Sequence, residues 1–180
     1  EITANFGESE NYFTKGKESF LNEARALAKF STEPNCVSVR DFFEANNTAY
    51  IVMEYLDSID LKSYVEEHGK LSFEEMFTLL NPIMNVLGKM HSTGLIHRDI
   101  SPSNIMILND GKVKLLDFGA ARVVEQNNEK SLSIMLKPGY APEEQYRTKG
   151  HQGTWTDVYA LSATMYKLLT GVTPEDAMNR

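Results

Sequence analysis

Residues 97–119 read His97-Arg98-Asp99-Ile100-Ser101-Pro102-Ser103-Asn104-Ile105-Met106-Ile107-Leu108-Asn109-Asp110-Gly111-Lys112-Val113-Lys114-Leu115-Leu116-Asp117-Phe118-Gly119. Within this stretch stand an acid (Asp99), an amide (Asn104) and a second acid (Asp117). Two apolar runs, 105–108 and 113–116, flank the turn residues Asn109-Asp110-Gly111 and have the pattern of paired strands. A set of acid, amide and acid held in register by strands suits two tasks. It can orient a hydroxyl nucleophile, and it can grip metal ions on a polyphosphate.

Upstream, residues 1–16 are polar and irregular and read as loop. From Glu18 a helix is expected, because Phe20, Ala24, Leu27 and Ala28 recur at helical spacing and Glu33-Pro34-Asn35 stops it. Glu23 lies on this helix near its apolar face; by itself it reads as a solvated carboxylate. Two strands follow, from Cys36 to Phe43 and from Ala49 to Glu54, around the turn Asn46-Asn47. The character of the chain changes near Glu54–Ser58, which places a boundary between a unit at 1–54 and a second at 55–180.

Ile59 to Glu67 reads as a short helix closed by Gly69. Ser72 and Glu75 have the spacing of a capping box, opening a long apolar helix through Met76, Leu80, Ile83, Leu87 and Met90 with Pro82 inside it. Downstream of Gly119, residues 125–131 are polar and read as a mobile loop. Order returns at Lys137-Pro138-Gly139-Tyr140-Ala141-Pro142-Glu143, and a last helix, capped by Thr156, runs through Val158, Leu161, Met165 and Leu168 to Gly171.

The chain of 180 residues carries a net charge of −7, which disfavours a general nucleic-acid role. Its single cysteine, Cys36, excludes an internal disulfide or a Cys-rich zinc site and reads as a core residue. No stretch has the length and apolarity of a membrane span and no signal peptide opens the chain, so a cytoplasmic setting is expected.

His97-Arg98-Asp99 with Asn104, then Asp117-Phe118-Gly119, then Ala141-Pro142-Glu143 stand in the order and spacing of the protein-kinase signature. The wording around them, with Ile96 to Pro102 and Lys137 to Tyr146, resembles the bacterial-type serine/threonine protein kinases over residues 18–180. The resemblance implies an α+β, bilobal kinase-like fold: a truncated small β lobe and a mainly helical large lobe. It implies ATP and Mg²⁺ as cofactors and a protein serine or threonine as acceptor. Asp99 would be the catalytic aspartate, with Asn104 and Asp117 as Mg²⁺ ligands. Glu23 would pair with the ATP-binding lysine, against the bland reading of that residue, and Met53 would be the gatekeeper. Glu54 to Leu56 would be the hinge facing adenine, with Met106 as the adenine floor and Asp60 at the ribose or a basic substrate side chain. A start-of-helix role for Asp60 stays open beside that. His97 and Phe118 would stack with Leu27 and Val39, and Asp157 would hold the catalytic loop from below. His68, His91 and His151 receive no role beyond surface or packing. Arg98 before Asp99 implies control by phosphorylation, with Ser131, Ser133 and Thr148 as candidate sites beside a reading as unmodified residues.

Three departures accompany the resemblance. The family's glycine-rich loop and strand lysine have no counterpart, and neither does the arginine that pairs with Glu143. A fragment cut at both ends is therefore expected, with weak or no activity by itself. The lysine usual two residues after the catalytic aspartate is Ser101, whereas a lysine, Lys137, stands where a threonine is usual before the Ala-Pro-Glu motif. Lys137 is accordingly a candidate to restore that charge beside Asp99; a solvent-facing lysine is the alternative. A small-molecule phosphotransferase of the same fold, or a catalytically silent scaffold, are the competing functions. Ala141-Pro142-Glu143 and the intact Asp99, Asn104 and Asp117 speak against them.

Overall fold

The structure, a computed structural model, describes residues 8–116, 122–123, 136–147 and 150–179; the side chains of residues 8–13, 15, 19, 23, 122 and 123 are outside the description. Asp117, Phe118, Ser131, Ser133 and Thr148 therefore lie outside the described residues, as does the side chain of Glu23.

Helix α1 spans Glu8–Ala28, so the loop expected for residues 1–16 is helical from Glu8 onward. Two glutamates and two lysines, Glu8, Glu10, Lys15 and Lys17, stand in this first half; straight-chain residues tolerate a helix well even without an apolar stripe. An ion pair from Lys17 to Glu44, 2.7 Å, ties it to the sheet it packs against. That sheet is a hairpin of β1 (Val39–Ala45) and β2 (Thr48–Met53), paired antiparallel from Val39↔Met53 to Ala45↔Thr48 with an irregularity between Val39 and Asp41. Asn46 and Asn47 turn it with φ of 52° and 59°, the left-handed pair that a two-residue hairpin turn needs and that asparagine tolerates. The first strand begins three residues later than the sequence implied. Cys36 and Val37 are bound elsewhere: Val37 N–H donates to Leu115 O (3.1 Å) and Leu115 N–H to Asn35 O (2.8 Å). Cys36 is fully buried there, and burial, with Glu33 nearby, pushes its thiol up to about 12, in keeping with an inert core residue.

A three-stranded antiparallel sheet follows in the order β3 (Ser58–Asp60), β5 (Ile105–Leu108), β6 (Val113–Leu115). Residues 58–60 are thus strand rather than the first turn of a helix; Asp60 ends the strand and caps α2 (Leu61–His68), which Gly69 closes. Helix α3 (Phe73–Ser92) opens with the capping box: Ser72 Oγ accepts from Glu75 N–H (3.2 Å) and Glu75 Oε2 accepts from Ser72 N–H (2.8 Å). Pro82 lies inside this helix without ending it. Met76, Leu80, Ile83, Val86, Leu87 and Met90 form the buried stripe of the core. A short pair, β4 (Leu95–Ile96) with β7 (Arg122–Val123), leads into the 97–104 loop.

Two α-helices follow, α4 (Glu143–Tyr146) and α5 (Thr154–Thr170), and a 3₁₀ turn, Ala177–Asn179, ends the described fold. Gly153, not Thr156, is the N-cap of α5. Thr156 is instead the third helical residue: its hydroxyl accepts Gly153 N–H (3.2 Å) and donates to Glu144 Oε1 (2.8 Å). The helix starts earlier because a threonine at that position can satisfy the N-cap amide from inside the first turn. Gly171 closes α5 at φ 77°. Among the described residues no helix is long and apolar enough to cross a membrane.

Candidate active site

The site is built on the loop between β4 and β5. Its foundation is Asp157 on α5, fully buried, whose carboxylate accepts three hydrogen bonds: His97 N–H at 2.8 Å, Arg98 N–H at 2.7 Å and His91 Nε2 at 2.7 Å. Burial alone would push this carboxyl up. The His91 bond and the two backbone N–H groups overcome that and hold it below its ordinary value. Arg98 adopts φ 71°, a left-handed conformation costly for a side-chain-bearing residue. Three segments fix it there. Asp157 takes its N–H, Gln145 Nε2 donates to its carbonyl at 2.8 Å, and its Nε donates to Gln152 Oε1.

The loop then presents Asp99. Asn104, nearly buried in the 3₁₀ turn Pro102–Asn104, donates from one amide nitrogen to both Asp99 O and Asp99 Oδ2, each at 2.8 Å. This fixes the carboxylate and leaves the amide oxygen, a hard donor, at the other end of the group. Asp99 N–H donates to His97 Nδ1 (3.3 Å), and His97 Nε2 lies 3.1 Å from Leu116 O, a pattern met by a ring protonated on Nε2. Burial raises the Asp99 carboxyl above its ordinary value, against the pull of Lys137 and Asn104. Leu116 N–H also donates to Asn104 O at 2.8 Å. The residue before Asp117 is therefore tied to both His97 and Asn104, although Asp117 is outside the description. Lys137 reaches the same point: its Nζ is 3.1 Å from Asp99 Oδ2, 3.0 Å from Ser101 Oγ and 3.2 Å from Ser103 Oγ.

The residues expected around adenine occupy a neighbouring strip. Glu54 follows β2; its N–H is taken by Ser38 O (2.9 Å), and its carboxylate accepts Ser38 N–H (2.7 Å) and the ammonium of Lys114. Lys114 is the register partner of Met106 on β5, and Met106 is in turn the partner of Asp60 on β3. Glu54 is thus pinned to β6, the strand paired with the one that carries Met106. Met53 ends β2 half exposed, and Leu56 O accepts the Ser58 hydroxyl at 3.2 Å. Both carboxylate oxygens of Asp60 bond Ser63, through its N–H (2.9 Å) and its hydroxyl (2.6 Å), so the start-of-helix role is the one the geometry displays.

The protein kinase domain family model matches residues 7–180. The chain belongs to the protein kinase family. Its kinase relatives include a probable serine/threonine-protein kinase PknB of Lactococcus lactis, 35% identical over 87% of this chain and 25% of its own length. Serine/threonine-protein kinase F of Synechocystis is 44% identical over 71% of the chain and 26% of its own length. A solved kinase-fold structure, the PpkA-294 apo form, superposes with a TM-score of 0.78 at 37% identity, covering 97% of this chain and 61% of that one. The bilobal fold expected for the kinase family, a small sheet lobe with a helical lobe, is the fold observed. The chain spans about a quarter of the length of these two curated relatives.

Several residues that position the kinase site were not assigned by sequence reasoning. His91, for which the sequence suggests only a surface or packing role, bonds Asp157; its place in the last turn of α3, six residues before His97, is the available signal. Gln145, Gln152 and Lys114 act through long-range contacts that no local pattern displays.

Proposed function

We propose that this chain carries the catalytic centre of a serine/threonine protein kinase, transferring the γ-phosphoryl group of ATP to a protein hydroxyl. The observation that carries the proposal is the fixed Asp99 carboxylate, locked by Asn104 in a loop whose backbone hangs on Asp157. In this reading Asp99 accepts the hydrogen bond of the substrate hydroxyl and aligns its oxygen. The new bond forms between that oxygen and the γ-phosphorus as the bond to the β,γ-bridging oxygen breaks, leaving ADP. The hydroxyl proton passes to Asp99 and then to solvent.

Mg²⁺ fits the donor set. Magnesium prefers hard oxygens, takes few from the protein and fills its shell with phosphate and water. The oxygen of Asn104, left over when its nitrogen binds Asp99, and the carboxylate of Asp117 would hold it. When bound, it neutralises charge on the transferring phosphate. Residues 1–54 act as the small lobe and 55–180 as the large one. Glu23 would pair with the ATP-binding lysine, Met53, Glu54, Leu56 and Met106 would face the nucleotide, and ATP dependence suits a cytoplasmic setting.

The test is phosphoryl transfer by the full-length protein from radiolabelled ATP with Mg²⁺ to a protein acceptor, with Asp99→Asn beside it. Label on serine or threonine, lost in the variant, supports the proposal. Label on a small molecule, or none at all, overturns it.

A further inference from the structure

Lys137 is the unusual member of the site. An ammonium has three N–H donors, and here it meets three oxygens: Asp99 Oδ2 at 3.1 Å, Ser101 Oγ at 3.0 Å and Ser103 Oγ at 3.2 Å. One of these is charged; the two hydroxyls are neutral and aim the cation without cancelling it. The lysine side chain stays about one third exposed (32%), so its head is open on one side. Its backbone, by contrast, is anchored. Tyr140 and Ala141 N–H both donate to Lys137 O at 3.0 Å. Gly139 makes this turn at φ 84°, so close to the 173–174 segment that a Cβ would lie 2.5 Å from Pro174 O.

A carboxylate that receives a hydroxyl beside a polyphosphate faces a physical problem, since both groups are anionic. A fixed cation between them removes the repulsion and stabilises charge on the transferring oxygens. We infer that Lys137 is that cation: a catalytic residue whose ammonium bridges Asp99 and the γ-phosphate, guided by the Ser101 and Ser103 hydroxyls. A phosphoryl oxygen displaces one neutral hydroxyl and keeps the Asp99 contact. The charge and the base thus come from two chain segments 38 residues apart in sequence, Lys137 minus Asp99. This inference rests on the kinase reading above.

The test reads nucleotide binding, which needs no turnover. Affinity of the full-length protein for Mg²⁺ with β,γ-imido-ATP is compared with its affinity for Mg²⁺ with ADP by calorimetry. The unmodified protein prefers the triphosphate analogue. Lys137→Thr abolishes that preference, weakening analogue binding about tenfold to a hundredfold, as loss of one charge-assisted hydrogen bond does, and leaves ADP binding unchanged. Adding Ser101→Lys to that variant returns a cation from the other segment and restores the preference, which a purely structural role for Lys137 would not allow. Equal preference in the unmodified protein and Lys137→Thr overturns the role of Lys137 and leaves the kinase reading standing. Equal loss for both nucleotides without rescue also overturns it. Failure of the unmodified protein to bind either nucleotide overturns both.

Discussion

Lys114 on β6 donates a hydrogen bond from its ammonium to the carboxylate of Glu54, joining the end of the β1–β2 hairpin to the β3-β5-β6 sheet. Both side chains are mostly buried, with exposures of 15% and 18%. Burial pushes the Glu54 carboxyl up, but Lys114 and Ser38 N–H outweigh it and hold the group below its ordinary value of 4.5. A carboxyl depressed in the folded state contributes stability above its ordinary value and loses it as pH falls through the folded one. Lys114→Met is therefore expected to cost about 1–2 kcal/mol near neutrality, measured by urea unfolding. The gap to the unmodified protein should narrow below about pH 4; a gap independent of pH would refute the pairing.

Asp157 makes a second prediction. Asp157→Ala strands two buried backbone N–H groups and His91, at a cost of about 3 kcal/mol or more. Asp157→Asn keeps one accepting oxygen and should lose less. Chemical denaturation of both variants ranks them; equal loss would mean that cavity formation, and not hydrogen bonding, sets the cost.

Asp99→Asn should leave the fold and nucleotide affinity almost unchanged and lower kcat about 10²–10⁴-fold, the usual contribution of a positioned base. Steady-state kinetics with ATP and protein acceptor varied in turn separates this from a binding defect. A rise in KM for ATP at constant kcat would remove Asp99 from the reacting centre.

Gly139→Ala should lower the thermal midpoint, because it places a Cβ 2.5 Å from Pro174 O at a φ of 84° that L-residues disfavour. The expected cost is about 1–3 kcal/mol. Turnover at temperatures where the variant is still folded should fall as well, since the turn that carries Lys137 must shift.

Ser72→Ala removes the capping box of α3 and should cost about 1 kcal/mol. The cap stands at the opposite end of α3 from His91, which donates to Asp157, so kcat for the remaining folded protein should not move.

Much of this molecule could be read in advance where the cause is local. The capping box at Ser72–Glu75, the Asn46–Asn47 turn and the Gly69 and Gly171 stops depend on a few adjacent residues, and they form as read. The juxtaposition of Lys137 with Asp99 was legible too, but only through comparison of two distant motifs. The early start of α1 was not, because its first half lacks an apolar stripe and is helical in the context of the sheet. The clamps from Gln145, Gln152 and Lys114 escaped for a related reason: a glutamine or lysine on a surface-like segment carries no sign of the partner that folding brings to it.

The left-handed backbone at Arg98 has one more consequence. A conformation costing about 1–3 kcal/mol persists only while its surroundings impose it, and among the described residues those surroundings include Asp157 of α5, Gln145 of α4 and Gln152 of the intervening loop. As these contacts let go, the loop can relax toward an ordinary geometry, turning Asp99 aside with no helix lost. Heat should therefore silence the proposed phosphoryl transfer before it melts the protein, the temperature of half-inactivation falling below the midpoint of the helical signal.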